Sequence, residues 1–158
     1  MRVYHSSSVA VEHPDIVHSR NYLDFGRGFY VTTLKQQAEQ YARRFTLRGL
    51  SAFLNEYEFD EDKLGQLLIR RFDCYDEEWL DFVMACRSGS DESTYDVVFG
   101  GIANDKIFRT IDLYFSGDIT KDDALKRLSF EKPNDQICLR SQRAIDELLS
   151  FVGSGEVS

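Results

Sequence analysis

Three side chains with chemical capability stand at the starts or ends of strand-like runs: His5, Tyr30 and Gln136. An imidazole can donate and accept hydrogen bonds, and a tyrosine ring is a flat amphipathic surface suited to stacking on another flat ring. A glutamine amide can accept from a hydroxyl and donate elsewhere, but it carries no charge and is no general base. Each also has a structural explanation: a hydrogen-bonded histidine, a packed tyrosine, a glutamine that ties down a loop. Tyr30 lies in the most distinctive stretch of the chain, Asp24-Phe25-Gly26-Arg27-Gly28-Phe29-Tyr30-Val31-Thr32-Thr33. Two glycines one residue apart let a backbone approach a ligand closely, and they lead into a short strand that presents the tyrosine. A tight turn into a core strand accounts for the same residues.

Other chemistries find little support. His13 and His18 fall in a polar loop, and Cys74, Cys86 and Cys138 are odd in number and widely spaced. Neither a disulfide framework nor a zinc pattern results, so reduced structural thiols and no metal are expected. The Gly26-x-Gly28 pair lacks the third glycine of a dinucleotide fingerprint and precedes a strand rather than a helix. No P-loop and no serine-hydrolase elbow is present.

The elements that must position these residues follow from periodicity and caps. Arg2 to His5 alternates as a strand ended by Ser6-Ser7-Ser8, and a second strand lies near 28–33. Ala38, Tyr41, Ala42 and Phe45 recur at helical spacing over 35–47. Ser51 to Phe59 and Leu67 to Phe72 are strand candidates separated by the charged Asp60-Glu61-Asp62-Lys63. Asp76 can cap a helix with Trp79, Phe82, Val83 and Cys86 on one stripe. Tyr95 to Phe99 reads as a buried strand, 106–115 and 120–129 as helices, Gln136 to Leu139 as a late strand. Ser141 can cap a last helix, after which a frayed tail is expected from Gly153, with residues 154–158 flexible. Strands in runs broken by helices, without a regular beat, indicate an α+β fold with mostly antiparallel sheets.

A chain of 158 residues with 42% hydrophobic and 29% charged residues suits one globular domain, taken as 1–153. The formal charge of −8 argues against a protein that holds long nucleic acid by neutralising phosphates. The Arg43, Arg44, Arg48 cluster and the Arg70-Arg71 pair leave room for local basic patches. No run approaches the roughly 20 apolar residues of a membrane helix, and the opening Met1-Arg2-Val3-Tyr4-His5 enters a strand directly. No membrane partner, no secretory leader and a cytosolic location are therefore expected.

Taken in order, Tyr4-His5-Ser6-Ser7, Gly26-Arg27-Gly28-Phe29-Tyr30-Val31-Thr32, Tyr41 and Asp135-Gln136-Ile137-Cys138 resemble the successive motifs of the ADP-ribosyltransferase superfamily. The likeness is to its His-Tyr-Glu branch, shared by diphtheria-type toxins and poly(ADP-ribose) polymerases. Within that branch, the run from Tyr22 to Ala42 is most similar to a bacterial family of short single-domain proteins of unsettled function. The resemblance implies two split sheets with NAD as substrate, its nicotinamide held in a slot between them. His5 then matches the histidine that bonds the adenine-side ribose, Tyr30 one stacking tyrosine and Tyr41 the second. Gly28, in the glycine motif that leads into the tyrosine strand, is expected to bind NAD with His5, Ser6, Arg20, Tyr30 and Tyr41, and His5, Tyr30 and Gln136 are the expected catalytic residues. Ser6 takes the place of a glycine whose main chain bonds the carboxamide, and Ala38 that of a carboxamide-binding serine. Gln136 stands where the usual glutamate stabilises positive charge on the ribose, a substitution that related branches share. Asp135 is adjacent but faces the other way on a strand. Arg20 is a candidate for the pyrophosphate, with a solvent-exposed arginine as the alternative.

The implied activity is mono-ADP-ribosyl transfer from NAD to a macromolecular acceptor, in a bacterial toxin-like effector that by analogy travels with a neutralising, antitoxin-like protein. Two alternatives remain open at the level of sequence: an NAD-binding interaction module with little or no turnover, and an NAD glycohydrolase.

Overall fold

The computed structural model describes all residues, 1–158. The chain opens with β1 (Arg2–Ser7), crosses a long loop to β2 (Phe29–Val31) and turns into α1 (Lys35–Leu47). β3 (Phe53–Phe59), a 3-10 turn at Glu61–Gln66 and β4 (Ile69–Arg71) follow. Next come α2 (Glu77–Ser88), β5 (Val97–Gly100), α3 (Asp105–Phe115) and α4 (Lys121–Leu128). The chain closes with β6 (Gln136–Leu139), α5 (Gln142–Leu148) and β7 (Leu149–Glu156).

The helix starts are chemical. The side chains of Asp76, Thr120 and Ser141 accept from the main-chain N–H of Trp79, Asp123 and Ala144 at 2.9, 3.1 and 3.1 Å. Each bond satisfies a donor that the first helical turn leaves free. Two expectations need correction. Ser6 and Ser7 continue β1 rather than ending it, because Leu54 and Phe53 of β3 pair with them. Residues 149–156 are not a loose tail but an eight-residue strand, which pairs with β3 from Phe59↔Leu149 to Phe53↔Glu156. Local sequence rich in glycine and serine does not announce a strand whose order comes from its partner.

The fold is α+β, with two sheets: β1-β3-β7 and β2-β6-β5-β4. All pairs are antiparallel except β4 with β5. One core lies between the sheets and under α5, where Val3, Phe29, Val31, Tyr57, Ile137 and Leu148 meet. A second core lies on the other face of the β6 sheet, where Val98 and Cys138 meet Trp79, Leu80, Ile107 and Leu128 of the helices. Strand alternation thus sends Phe29 and Val31 into the first core while Tyr30 packs against the second. The sheets touch by one bridge, in which Tyr4 and Thr32 exchange main-chain bonds of 2.8 and 2.9 Å.

Gly28 is required by packing. A Cβ there would stand 2.4 Å from Cys138 Sγ and 2.8 Å from the Leu139 carbonyl oxygen. Gly28→Ala is therefore expected to destabilise the protein by about 1–3 kcal/mol, the usual cost of overpacking. Gly153→Ala, which meets nothing within 4 Å, is expected to leave the denaturant midpoint nearly unchanged. Deleting residues 153–158 is expected to cost at least about 2 kcal/mol, at about 1 kcal/mol per lost backbone hydrogen bond. A truncated chain that melts with the full-length protein would show the strand to be dispensable.

Candidate functional site

The site is a fork. Tyr4 and Thr32 form a bonded antiparallel pair, so the next bonded pair along the two strands would be Ser6 with Tyr30. That pair is not made. The Tyr30 carbonyl instead accepts from His5 Nδ1 at 2.7 Å, and no main-chain bond joins Ser6 to β2. Alternation along β1 directs the Ser6 N–H and C=O toward β2, as it does those of Tyr4. One residue thus presents an open donor and an open acceptor at the point where the sheets part.

The side chains around the fork are arranged by register. Ser6, Tyr30 and Thr32 share a face, because Tyr4 and Thr32 lie opposite each other. Tyr30 pairs with Cys138, so Gln136 is its diagonal neighbour on that same face, roughly 7–8 Å away between strands. The Gln136 amide makes no hydrogen bond within the protein and is not sealed from solvent. The loop beyond β5, opposite Gln136, is held firmly. Trp79 Nε1 donates to the Gly101 carbonyl at 2.8 Å, Tyr75 to that of Ile102 at 3.1 Å, and Ala103 N–H to Asp24 at 2.9 Å. Tyr30 is held at its tip, where its hydroxyl donates to the Gly26 carbonyl at 2.5 Å and accepts from Phe25 N–H at 3.1 Å. Burial pushes its phenol well above the ordinary range, so it acts as a neutral ring.

Helix α1 walls the other side of the fork. It packs on β1 through the buried Ala38 and Ala42, and the Ser6 hydroxyl donates to the Ala38 carbonyl at 2.5 Å. Tyr41, one turn on, is half exposed and touches no part of Tyr30 by ring contact. The Arg44 guanidinium lies 5.0 Å from the Tyr41 ring centre and reaches Asp105 at 3.2 Å, joining the two rims. The spacing of Tyr41 and Arg44, three apart on a helix, is the signal that could have identified this arginine.

His5 lies on the opposite face, stacked on Phe29 with ring centres 4.3 Å apart. A carbonyl only accepts, so Nδ1 carries the ring proton. Burial lowers the imidazole below its usual 6.5, partly opposed by the bond to Tyr30. The neutral ring leaves Nε2 as an acceptor without a protein partner, able to take a hydroxyl hydrogen. Arg20 is exposed and makes no ion pair; its neighbour Ser19 accepts through Oγ from Gly28 N–H at 2.8 Å. The structure therefore gathers Ser6, Tyr30, Gln136 and α1 with Tyr41 about one opening, sets His5 behind it, and leaves Arg20 exposed in the loop before β2. Gly28 serves strand packing. Asp135 is committed elsewhere, since its Oδ2 accepts from Thr33 N–H at 2.7 Å and from the Thr33 hydroxyl. Two cavities, of about 740 and 550 Å³, lie over α3, where Asp105 lines the first, and between β7 and α5.

A histidine held neutral in the fold adds stability that is fully present above about pH 6.5 and lost as pH falls toward its lowered native value. Denaturation followed from about pH 7.5 to about 5 should show this loss, and His5→Gln should flatten it. Titration of the His5 ring by NMR at or above 6.5 would contradict a ring held neutral by burial.

Comparison with family models gives one match, over residues 1–151, to the family described as "Protein of unknown function (DUF3990)". Neither the curated proteins nor the solved structures give a match. The chain belongs to the DUF3990 family.

Proposed function

We propose that this protein is a mono-ADP-ribosyltransferase that takes NAD as its substrate, in a bacterial, cytosolic, toxin-like effector. One observation carries this: the open main-chain edge of Ser6 beside Tyr30. A primary carboxamide, such as that of nicotinamide, has one acceptor and a pair of donors, and Ser6 N–H and C=O meet it with the complementary set. Tyr30 and Tyr41 supply aromatic faces for the cationic ring, each worth about 0.5–2 kcal/mol. The attraction fades once nicotinamide is neutral, so the rings bind and orient rather than stabilise the transition state. His5 Nε2 is suited to accept from a ribose hydroxyl, and Arg20 to meet the pyrophosphate.

In the proposed reaction the ribose C1′–N bond breaks and its electron pair leaves with nicotinamide. The acceptor's lone pair forms the new bond at C1′, and its proton passes to solvent. Positive charge grows on the ribose, as in glycoside hydrolysis. Gln136 can accept from a ribose hydroxyl but offers no charge to balance it. Asp135 does not make up the deficit, because Thr33 holds it. That observation favours the second reading, an NAD-binding module of slow turnover, with NAD hydrolysis as its side reaction.

Millimolar NAD should raise the melting temperature, and Tyr41→Ala, at an exposed position, should abolish the shift without unfolding the chain. No shift in the parent protein would sink the NAD site. With labelled NAD and a cell lysate, label on a macromolecule identifies transfer, whereas free nicotinamide without it identifies hydrolysis. Gln136→Glu should raise nicotinamide release by at least about tenfold, since a placed charge is worth several kcal/mol. An unchanged rate would place the ribose away from residue 136.

A further inference from the structure

The two sheets meet at the Tyr4–Thr32 bridge, so beyond the open stretch at Ser6 the free strand edges are β7 and β4. They differ in kind. β4 spans Ile69–Arg71 and carries two arginines, a short charged edge of the type that resists pairing. β7 runs for eight residues, Leu149–Glu156, with its one charge at the end and no proline or lysine. The Leu149 N–H closes α5 on the Ile145 carbonyl, and the other main-chain bonds of β7 face β3. The register step between Glu56 and Tyr57 leaves Val152 as a bulge, the only protective device on this edge.

Beside this edge lies a second, independent feature. A cavity of about 550 Å³ has Leu149 and Phe151 of β7, with Tyr57, on its apolar side. Glu12, Asp15 and Asp146 stand around it, and no lysine or arginine lines it. A strand added to β7 would set every second side chain on the face of Leu149 and Phe151, next to that cavity. Main-chain bonds to an edge supply affinity and a flanking pocket supplies selectivity, the pattern of strand addition.

We propose that the β7 edge and this cavity form a docking site for an extended, basic segment of a partner protein. The segment adds as a strand along Leu149–Glu156. A lysine or arginine side chain lays its aliphatic stem on Phe151 and Tyr57 and sets its charge between Glu12 and Asp146, Asp15 being bonded to His18. Charge decides the occupant. A second copy of this chain would bring the same acidic rim and a formal charge of −8 against its twin, which opposes edge-to-edge pairing. The site lies on the β7 sheet, away from the fork, and does not depend on what the fork binds.

The probe is a short synthetic peptide of alternating threonine and lysine, blocked at both ends. It is offered to the full-length protein beside a threonine–glutamate version and a version N-methylated at every residue. Saturable binding of the lysine peptide is expected by fluorescence anisotropy, with slowed amide exchange confined to residues 149–156. N-methylation of every residue should abolish binding, because it removes the donors from both edges of the added strand. Glu12→Gln with Asp146→Asn should weaken binding by about fivefold, the scale of two rim charges. Absence of binding, equal binding of the glutamate or N-methylated peptide, or protection elsewhere in the chain would overturn the proposal. So would a dimer in solution whose interface protects β7.

Discussion

One hydrogen bond organises this molecule: the bond from His5 Nδ1 to the carbonyl of Tyr30. It occupies the acceptor that a continued ladder would have given to Ser6. Beyond Tyr4 and Thr32 the two sheets therefore separate instead of closing. An unpaired carbonyl at this depth would be costly, and the imidazole removes that cost without rejoining the strands. The His5 ring also packs against Phe29, tilted by 32° at 4.3 Å between ring centres. The opening is thus built into the native hydrogen-bond pattern rather than left by poor packing.

The separation is tolerable because each sheet has its own support. The β1 sheet is held by β3 and β7 and covered by α1, while the β6 sheet packs on both faces. The loop connections are tied by buried polar groups. Asn55, fully buried, accepts from Val11 N–H at 2.8 Å and donates to the His5 carbonyl at 3.3 Å, which fixes the loop after β1. Asn134 accepts from Ile102 N–H at 2.8 Å on the side nearest Gln136. These bonds hold both rims of the fork, which is what preorganisation of a binding slot requires.

The slot is electrically quiet. Its contributing groups are a neutral imidazole, the neutral Tyr30 phenol, an amide and main-chain dipoles, while Asp135 is bonded to Thr33 and Arg44 is paired to Asp105. Such a lining suits an amide-bearing flat ring through hydrogen bonds and ring faces. It also lacks a free carboxylate, the group that would stabilise a cationic sugar in the proposed reaction.

Much of this was legible in the sequence, and the reason is local. Helix caps at Asp76, Thr120 and Ser141 and the apolar spacing of α1 act within a few residues, so the helices fell where periodicity put them. His5, Tyr30, Tyr41 and Gln136 were grouped by a resemblance of their motifs, taken in order, and not by any local signal. What the sequence alone could not supply was anything set by pairing across long separations. The strand at 149–156 exists because β3 binds it, and Gly28 is small because Cys138 stands behind it, a contact over a hundred residues distant. The fork itself belongs to the tertiary structure. Whether Ser6 pairs with Tyr30 or leaves its main chain open depends on a competing donor from a neighbouring side chain, and residue types carry no record of which one wins.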